Sequence, residues 1–257
     1  MHFYFNDLCC KICWYLNLRC VFVVVIVVVK LKRASVKAIL TAELLYTIAI
    51  THRRFLAMIL HPEKIEQESM RIIQETIGTY SGNPENLPVI KRVIHATADF
   101  DFLHNLYFSD GAVQKARQAL KNHTPIITDT NMLAAGISKR YNIDIICHVS
   151  DPETITQAQA RKTTRAIVSI ERAVSNYPHA IYAIGNAPTA LIRLCELIQD
   201  GRANPSLVIG VPVGFVNVLE AKDMLSSLTD ITRIIAHGRK GGTTVACAIV
   251  NAILYGM

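Results

Sequence analysis

From residue 58 onward the chain alternates amphipathic stretches of 3.6-residue period with short unbroken apolar runs, separated by turns rich in Gly, Pro, Asn and Asp. Ile65, Ile72, Ile73 and Ile77 share one face of a predicted helix over 65–77, which Gly78 and Ser81-Gly82-Asn83-Pro84 close. A second helix starts near Pro88 and runs through His95, followed by the polar stretch Ala98-Asp99-Phe100-Asp101. Residues 103–108 read as a short strand, and Asp110-Gly111 opens a helix ending near Lys121. Buried strands are predicted at 125–129, 143–149, 180–184, 207–211 and 233–236. The last four lead, in turn, into a long helix over 152–176, a helix ending near Asp200, one after Pro212-Val213-Gly214, and a final one after Gly238-Arg239-Lys240-Gly241-Gly242. This alternation predicts an α/β fold, a single layered domain with a mainly parallel sheet flanked by helices. No Pro/Gly/Ser-rich linker divides residues 58–257.

Residues 1–57 break the pattern. Nine consecutive apolar residues at 21–29 end in Lys30-Leu31-Lys32-Arg33, too short a run to span a bilayer comfortably and with its basic cluster on the wrong side for a secretory signal. The segment is an atypical apolar and basic N-terminal extension, open to three readings: a membrane-surface or re-entrant anchor, an extra strand and helix on the fold, or a spurious, dispensable stretch upstream of a start at Met58. It carries eight Lys/Arg against Asp7 and Glu43, so it accounts for most of the +7 formal charge of the 257-residue chain. The rest is nearly neutral, which removes the case for a nucleic-acid partner and leaves a membrane partner only through residues 1–57. Cys147, Cys195 and Cys247 stand far apart in apolar surroundings, as buried thiols of a reducing, cytoplasmic compartment do. Cys10-Lys11-Ile12-Cys13 has no second ligand pair at zinc-site spacing, so no metal site is predicted.

Arg92-Val93-Ile94-His95 places a guanidinium and an imidazole nearly one helical turn apart, facing one groove. An imidazole titrates near neutrality and a guanidinium clamps carboxylates, a pairing suited to proton transfer on an anionic ligand; a half-buried histidine beside a solvated arginine is the plainer alternative. Thr128, Asp129 and Thr130 end a strand, where open α/β sheets bind ligands. Gly185-Asn186-Ala187-Pro188-Thr189 joins a strand to a helix and either binds an anion on its amides or merely shapes the turn. His237 to Thr244 superficially resembles a phosphate loop but lacks its spacing, and no Gly-x-Gly-x-x-Gly follows any strand. A nucleotide-dependent α/β enzyme is accordingly a weaker alternative. Arg165 lies in the basic run Arg161-Lys162-Thr163-Thr164-Arg165, facing either solvent or a ligand carboxylate.

Over about residues 59–256 the sequence resembles the precorrin-8X methylmutase family, including its cobalt-precorrin-8 methylmutase branch. The resemblance rests on Ile65-Glu66-Gln67-Glu68-Ser69, Arg92 to Ala96, Ile127 to Met132, Ala183 to Leu191, Val211 to Asn217 and Gly238 to Gly242 in that order. It implies that 58–257 is a methylmutase-like catalytic domain of corrin biosynthesis. The reaction would move a methyl group from ring carbon 11 to ring carbon 12 without an external donor or cofactor. His95 would be the proton donor and acceptor. Ser69 and Arg92 match substrate-contacting positions, and Arg165 is a third; Asp129, Thr130, Asn186, Thr189 and Arg239 are proposed from strand-end position and motif membership. The partner would be a tetrapyrrole with multiple carboxylate arms, bound by a homodimer with sites near the subunit interface. Thr128-Asp129-Thr130-x-Met132 leans toward the cobalt branch, in which cobalt arrives as part of the substrate. Glu220-Ala221-Lys222 and Gly242-Thr243 depart from the family's usual Glu-Ser-Lys and Gly-Ser, leaving the acid untouched. A non-catalytic tetrapyrrole carrier is the alternative from another class.

Overall fold

Strands that are apolar at nearly every position need cover on both faces, and the centre of the sheet is built from such strands. The computed structural model describes residues 61–257, so the readings of 1–57 and of a start at Met58 lie outside the described residues. Among the described residues, one sheet contains β1 (Leu106–Phe108), β2 (Ile126–Thr128), β3 (Ile145–Ile146), β4 (Ile181–Ile184), β5 (Leu207–Gly210) and β6 (Arg233–Ala236). Their spatial order is β1-β6-β5-β4-β2-β3, and every neighbouring pair is parallel except β1 with β6. The predicted α/β class and mainly parallel sheet are therefore observed.

Alternate residues of each strand feed two cores. Ile181, Ala183, Leu207, Ile209 and Ile234 face the first, under α2 (Leu87–Thr97), α4 (Ala112–Lys121), α5 (Asn131–Gly136) and α10 (Thr243–Tyr255). Tyr182, Ile184, Val208 and Ile235 face the second, under α7 (Arg165–Asn176), α8 (Pro188–Gln199) and α9 (Val218–Ser227). The remaining helices are α1 (Pro62–Ile77), α3 (Phe102–Asn105) and α6 (Pro152–Ala160). After β2 the chain moves outward to β3 and then returns to β4 on the other side of β2. That reversal opens a crevice at the carboxyl ends of β2 and β4, the place where such sheets bind ligands.

Three predicted elements differ. Of the strand read over 103–108, residues 103–105 are helical, in α3, and only Leu106–Phe108 pair in the sheet. The single helix over 152–176 is two helices, because Lys162 adopts the left-handed region at φ 50. The Lys162 amide donates to the Gln159 carbonyl at 3.2 Å and the Thr163 amide to the Ala158 carbonyl at 3.0 Å, the paired bonds of a Schellman ending. Thr164 then caps α7, its hydroxyl accepting the Ile167 amide at 3.3 Å. The strand expected over 143–149 pairs only at Ile145–Ile146, since His148 Nδ1 bonds Asp151 at 2.7 Å and draws the chain into a turn. Among the described residues no helix is long and apolar enough to cross a membrane.

Candidate active site

The crevice between β2 and β4 is filled from within. Asp129 is 1% exposed, and its carboxylate accepts the amides of Gly185 at 3.2 Å, Asn186 at 2.7 Å and Ala187 at 2.8 Å. Burial holds the Asp129 carboxyl above its ordinary value, and the amides of Ala187, Asn186 and Gly185 offset only part of that rise. The amides leading into α8 thus already have an acceptor, the protein's own carboxyl group. Asp129 sits at the strand end as expected, but its oxygens shape the Gly185–Pro188 turn and are not presented at the rim. Gly185 is required here, because a Cβ would stand 2.9 Å from the Thr243 Cα.

Lys222 does similar work one strand away. It is 1% exposed, and its Nζ donates to the carbonyls of Gly238 at 2.7 Å and Lys240 at 2.8 Å in the turn after β6. Gly241 folds that turn onto the residue just after β5, where a Cβ would meet the Val211 carbonyl oxygen at 2.3 Å. The glycines that suggested a phosphate loop therefore serve close packing. Lys240 in turn bonds Asp99 at 2.7 Å and Asp101 at 2.5 Å, just beyond the end of α2. Contacts from Lys222 through Lys240 tie the segment just after α2, the helix that carries His95, to the turn after β6.

Burial pushes Lys222 down from its ordinary 10.5 to about 8. Between those values the unfolded chain holds the extra proton, so this residue's contribution to stability is full above about 10.5 and lost as pH falls through about 8. A neutral amine still has two N–H groups for two carbonyls, so the turn keeps both bonds through the titration. Urea unfolding of the parent and of Lys222→Met should therefore diverge with pH. The parent's advantage should grow across that window by on the order of 3 kcal/mol; pH-independent spacing of the two curves would refute the depressed value.

His95 is exposed on α2, and its imidazole makes no hydrogen bond or ion pair among the described residues. Arg92 behaves otherwise. Its guanidinium bonds Glu66 at 3.1 Å and lies 5.0 Å from the centre of the Tyr255 ring. The expected shared groove is thus only partly realised: the imidazole stands open while the guanidinium is engaged one turn back. Ser69 lies half-buried on α1, one turn beyond Glu66.

The remaining candidates line the same edge. Thr130 caps α5, accepting the Leu133 amide at 3.2 Å. The Thr164 and Thr189 hydroxyls meet at 3.3 Å, joining the start of α7, where Arg165 is exposed, to the start of α8. Asn186 and Arg239 are exposed on the turns after β4 and β6. Met132 in the first turn of α5, and Phe215 and Val216 in the turn before α9, are 72%, 85% and 76% exposed. Cations, hydroxyls and bare apolar side chains on one rim suit a large ligand with an apolar face and an anionic periphery. Burial pushes the thiols of Cys147, Cys195 and Cys247 up, Cys195 to about 12, so none is a ready nucleophile. Among the described residues no group of three or more His, Cys, Asp or Glu is placed to hold a metal ion.

Sequence reading missed Lys222, Lys240, Glu66 and Tyr255. A signal existed for the first: Val218, Ala221, Lys222 and Leu225 follow the i, i+3, i+4, i+7 spacing of a buried stripe.

Comparison with known proteins agrees with the resemblance read from the motifs. The family described as precorrin-8X methylmutase matches residues 64–256. A cobalt-precorrin-8 methylmutase of Priestia megaterium is 38% identical over 203 residues, 77% of this chain and 90% of that protein. One from Salmonella typhimurium is 41% identical over 204 residues, 76% of this chain and 95% of that protein. The crystal structure of precorrin-8x methyl mutase from Thermus thermophilus superposes with a TM-score of 0.70 at 39% identity, covering 75% of this chain and 95% of that one.

Proposed function

Since the chain belongs to the precorrin-8X methylmutase family, we propose that it is the methyl-shifting isomerase of corrin biosynthesis, with His95 as its proton donor and acceptor. The substrate is a tetrapyrrole with carboxylate arms, and the methyl group leaves ring carbon 11 as its bond to ring carbon 12 forms. Atoms balance without a donor or cofactor: the imidazole lends a proton to the macrocycle and takes one back. Protonation makes the framework receiving the methyl group more electron-poor, and general acid assistance of this kind contributes about 10²- to 10⁴-fold. The rest comes from holding the ring in a reactive shape.

The observation that carries this reading is the open imidazole of His95, on a helix whose following segment is tied by the Asp99–Lys240 and Asp101–Lys240 pairs to the turn after β6, one of the strand-end turns lined with cations and hydroxyls. In it, Ser69, Arg92, Arg165, Thr130, Asn186, Thr189 and Arg239 receive the arms and ring edge. Asp129 acts one step back, as a positioning residue for Asn186 and Thr189. The names of the Priestia and Salmonella relatives support a cobalt-containing substrate, the metal arriving within the ring. A homodimer in the cytoplasm, with Phe215 and Val216 covered at the assembled site, completes the reading.

Purified full-length protein given cobalt-precorrin-8 without oxygen should change its visible spectrum, and the product should carry the migrated methyl on ring carbon 12 by NMR. Binding of the product with no turnover would overturn the isomerase in favour of a carrier.

A further inference from the structure

The basic run Arg161 to Arg165 holds cations of two kinds. Arg161 pairs with Glu171, Arg193 with Glu171 and Glu196, and Arg172 with Glu153 and Asp151. The surface of α6, α7 and α8 is in this way largely neutralised. Lys162 and Arg165 are the exceptions, since neither side chain has a hydrogen bond or ion pair among the described residues. Both line one depression of about 440 Å³, with Ile155, Ala158, Gln159 and Thr163. Two unneutralised cations around a single cavity repel each other until an anion enters, and the Thr163 hydroxyl adds a donor.

The backbone adds an independent reason to look at Lys162. It occupies the residue after the α6 cap at φ 50, a position where glycine fits without steric cost and a side chain carries one. The cation that stands there is unpaired and on the cavity wall, where it is available to a ligand. The Thr164–Thr189 contact places this cavity beside the strand-end rim that carries Asn186 and Thr189.

We propose that Lys162, together with Arg165, binds a carboxylate arm of the tetrapyrrole in the depression between α6 and α7, so that Lys162 sets substrate affinity without touching the reacting carbons. This rests on the tetrapyrrole reading above. Because the cavity is open to solvent, the effect of one cation is screened and modest, about 3- to 10-fold in affinity.

The test uses full-length protein and two readouts. The first is Kd for uroporphyrin, a porphyrin carrying a carboxylate on every arm, as a probe that is not turned over; the second is KM and kcat with cobalt-precorrin-8. Lys162→Gly and Lys162→Gln should each raise Kd and KM by about 3- to 10-fold, with kcat within about twofold of the parent. Lys162→Arg should keep both near the parent's values. Lys162→Gly should also melt no lower than the parent, because glycine suits the backbone better. Unchanged uroporphyrin affinity in both charge-removing variants, or a parent that does not bind uroporphyrin, would overturn the proposal. Weakened probe binding in the variants of a protein that shows no turnover would leave it standing and remove the isomerase reading instead.

Discussion

Replacing His95 with alanine should lower kcat by about 10²- to 10⁴-fold while leaving tetrapyrrole Kd within a few-fold of the parent. The split follows from the geometry. The imidazole makes no bond within the described chain, so its removal takes away nothing that positions α2, and an exposed helix residue of this kind contributes within about 0.5 kcal/mol to folding. Thermal unfolding of His95→Ala should therefore overlay the parent's. His95→Asn sharpens the result: it keeps a hydrogen-bonding group near the same place but exchanges no proton near neutrality, so it should be as inactive as alanine. Turnover at the parent's rate in either variant would take the proton step away from His95.

How much of this was legible in the sequence depends on how local each signal is. β4, β5 and β6 were read nearly to the residue, because a strand buried on both faces is a continuous apolar run bounded by turn residues. Once the strands are parallel, every turn after a strand falls on one edge. That is why Thr130, Asn186, Thr189 and Arg239, far apart in sequence, could be grouped beforehand. The break between α6 and α7 was hidden by its chemistry, since the residue that ends the first helix is Lys162 and no glycine marks it. Pairings across the chain were hidden by distance. Nothing near Arg92 announces Glu66 or Tyr255, yet these two residues decide where its guanidinium lies. The direction of Asp129 was equally obscure. In a strand with both faces buried, alternation does not say whether the next side chain turns inward or to the rim.

That inward carboxylate gives the second large effect. Asp129→Ala should destabilise the protein by about 2–4 kcal/mol, because the amides of Gly185, Asn186 and Ala187 lose their acceptor in a buried place. Asp129→Asn should recover only part of this, since its amide offers one acceptor oxygen and turns a donor toward N–H groups that are themselves donors. Urea unfolding measures both, and a loss below about 0.5 kcal/mol in the alanine variant would mean that the carboxylate does not hold the turn. A simple loss of packing is told apart by adding an anion. In Asp129→Gly the three amides before α8 become an empty site of the kind that helix N-termini offer to sulfate or phosphate. Inorganic sulfate should then raise the melting temperature of the glycine variant more than that of the parent, whose site is already filled. The same result bears on the kind of ligand this fold accepts. A related strand order binds a nucleotide cofactor's phosphate at the equivalent crevice. With Asp129 in place the crevice is closed to phosphate, and the rim outside it, with His95, the unpaired cations and the bare apolar side chains, is what remains for a larger ring.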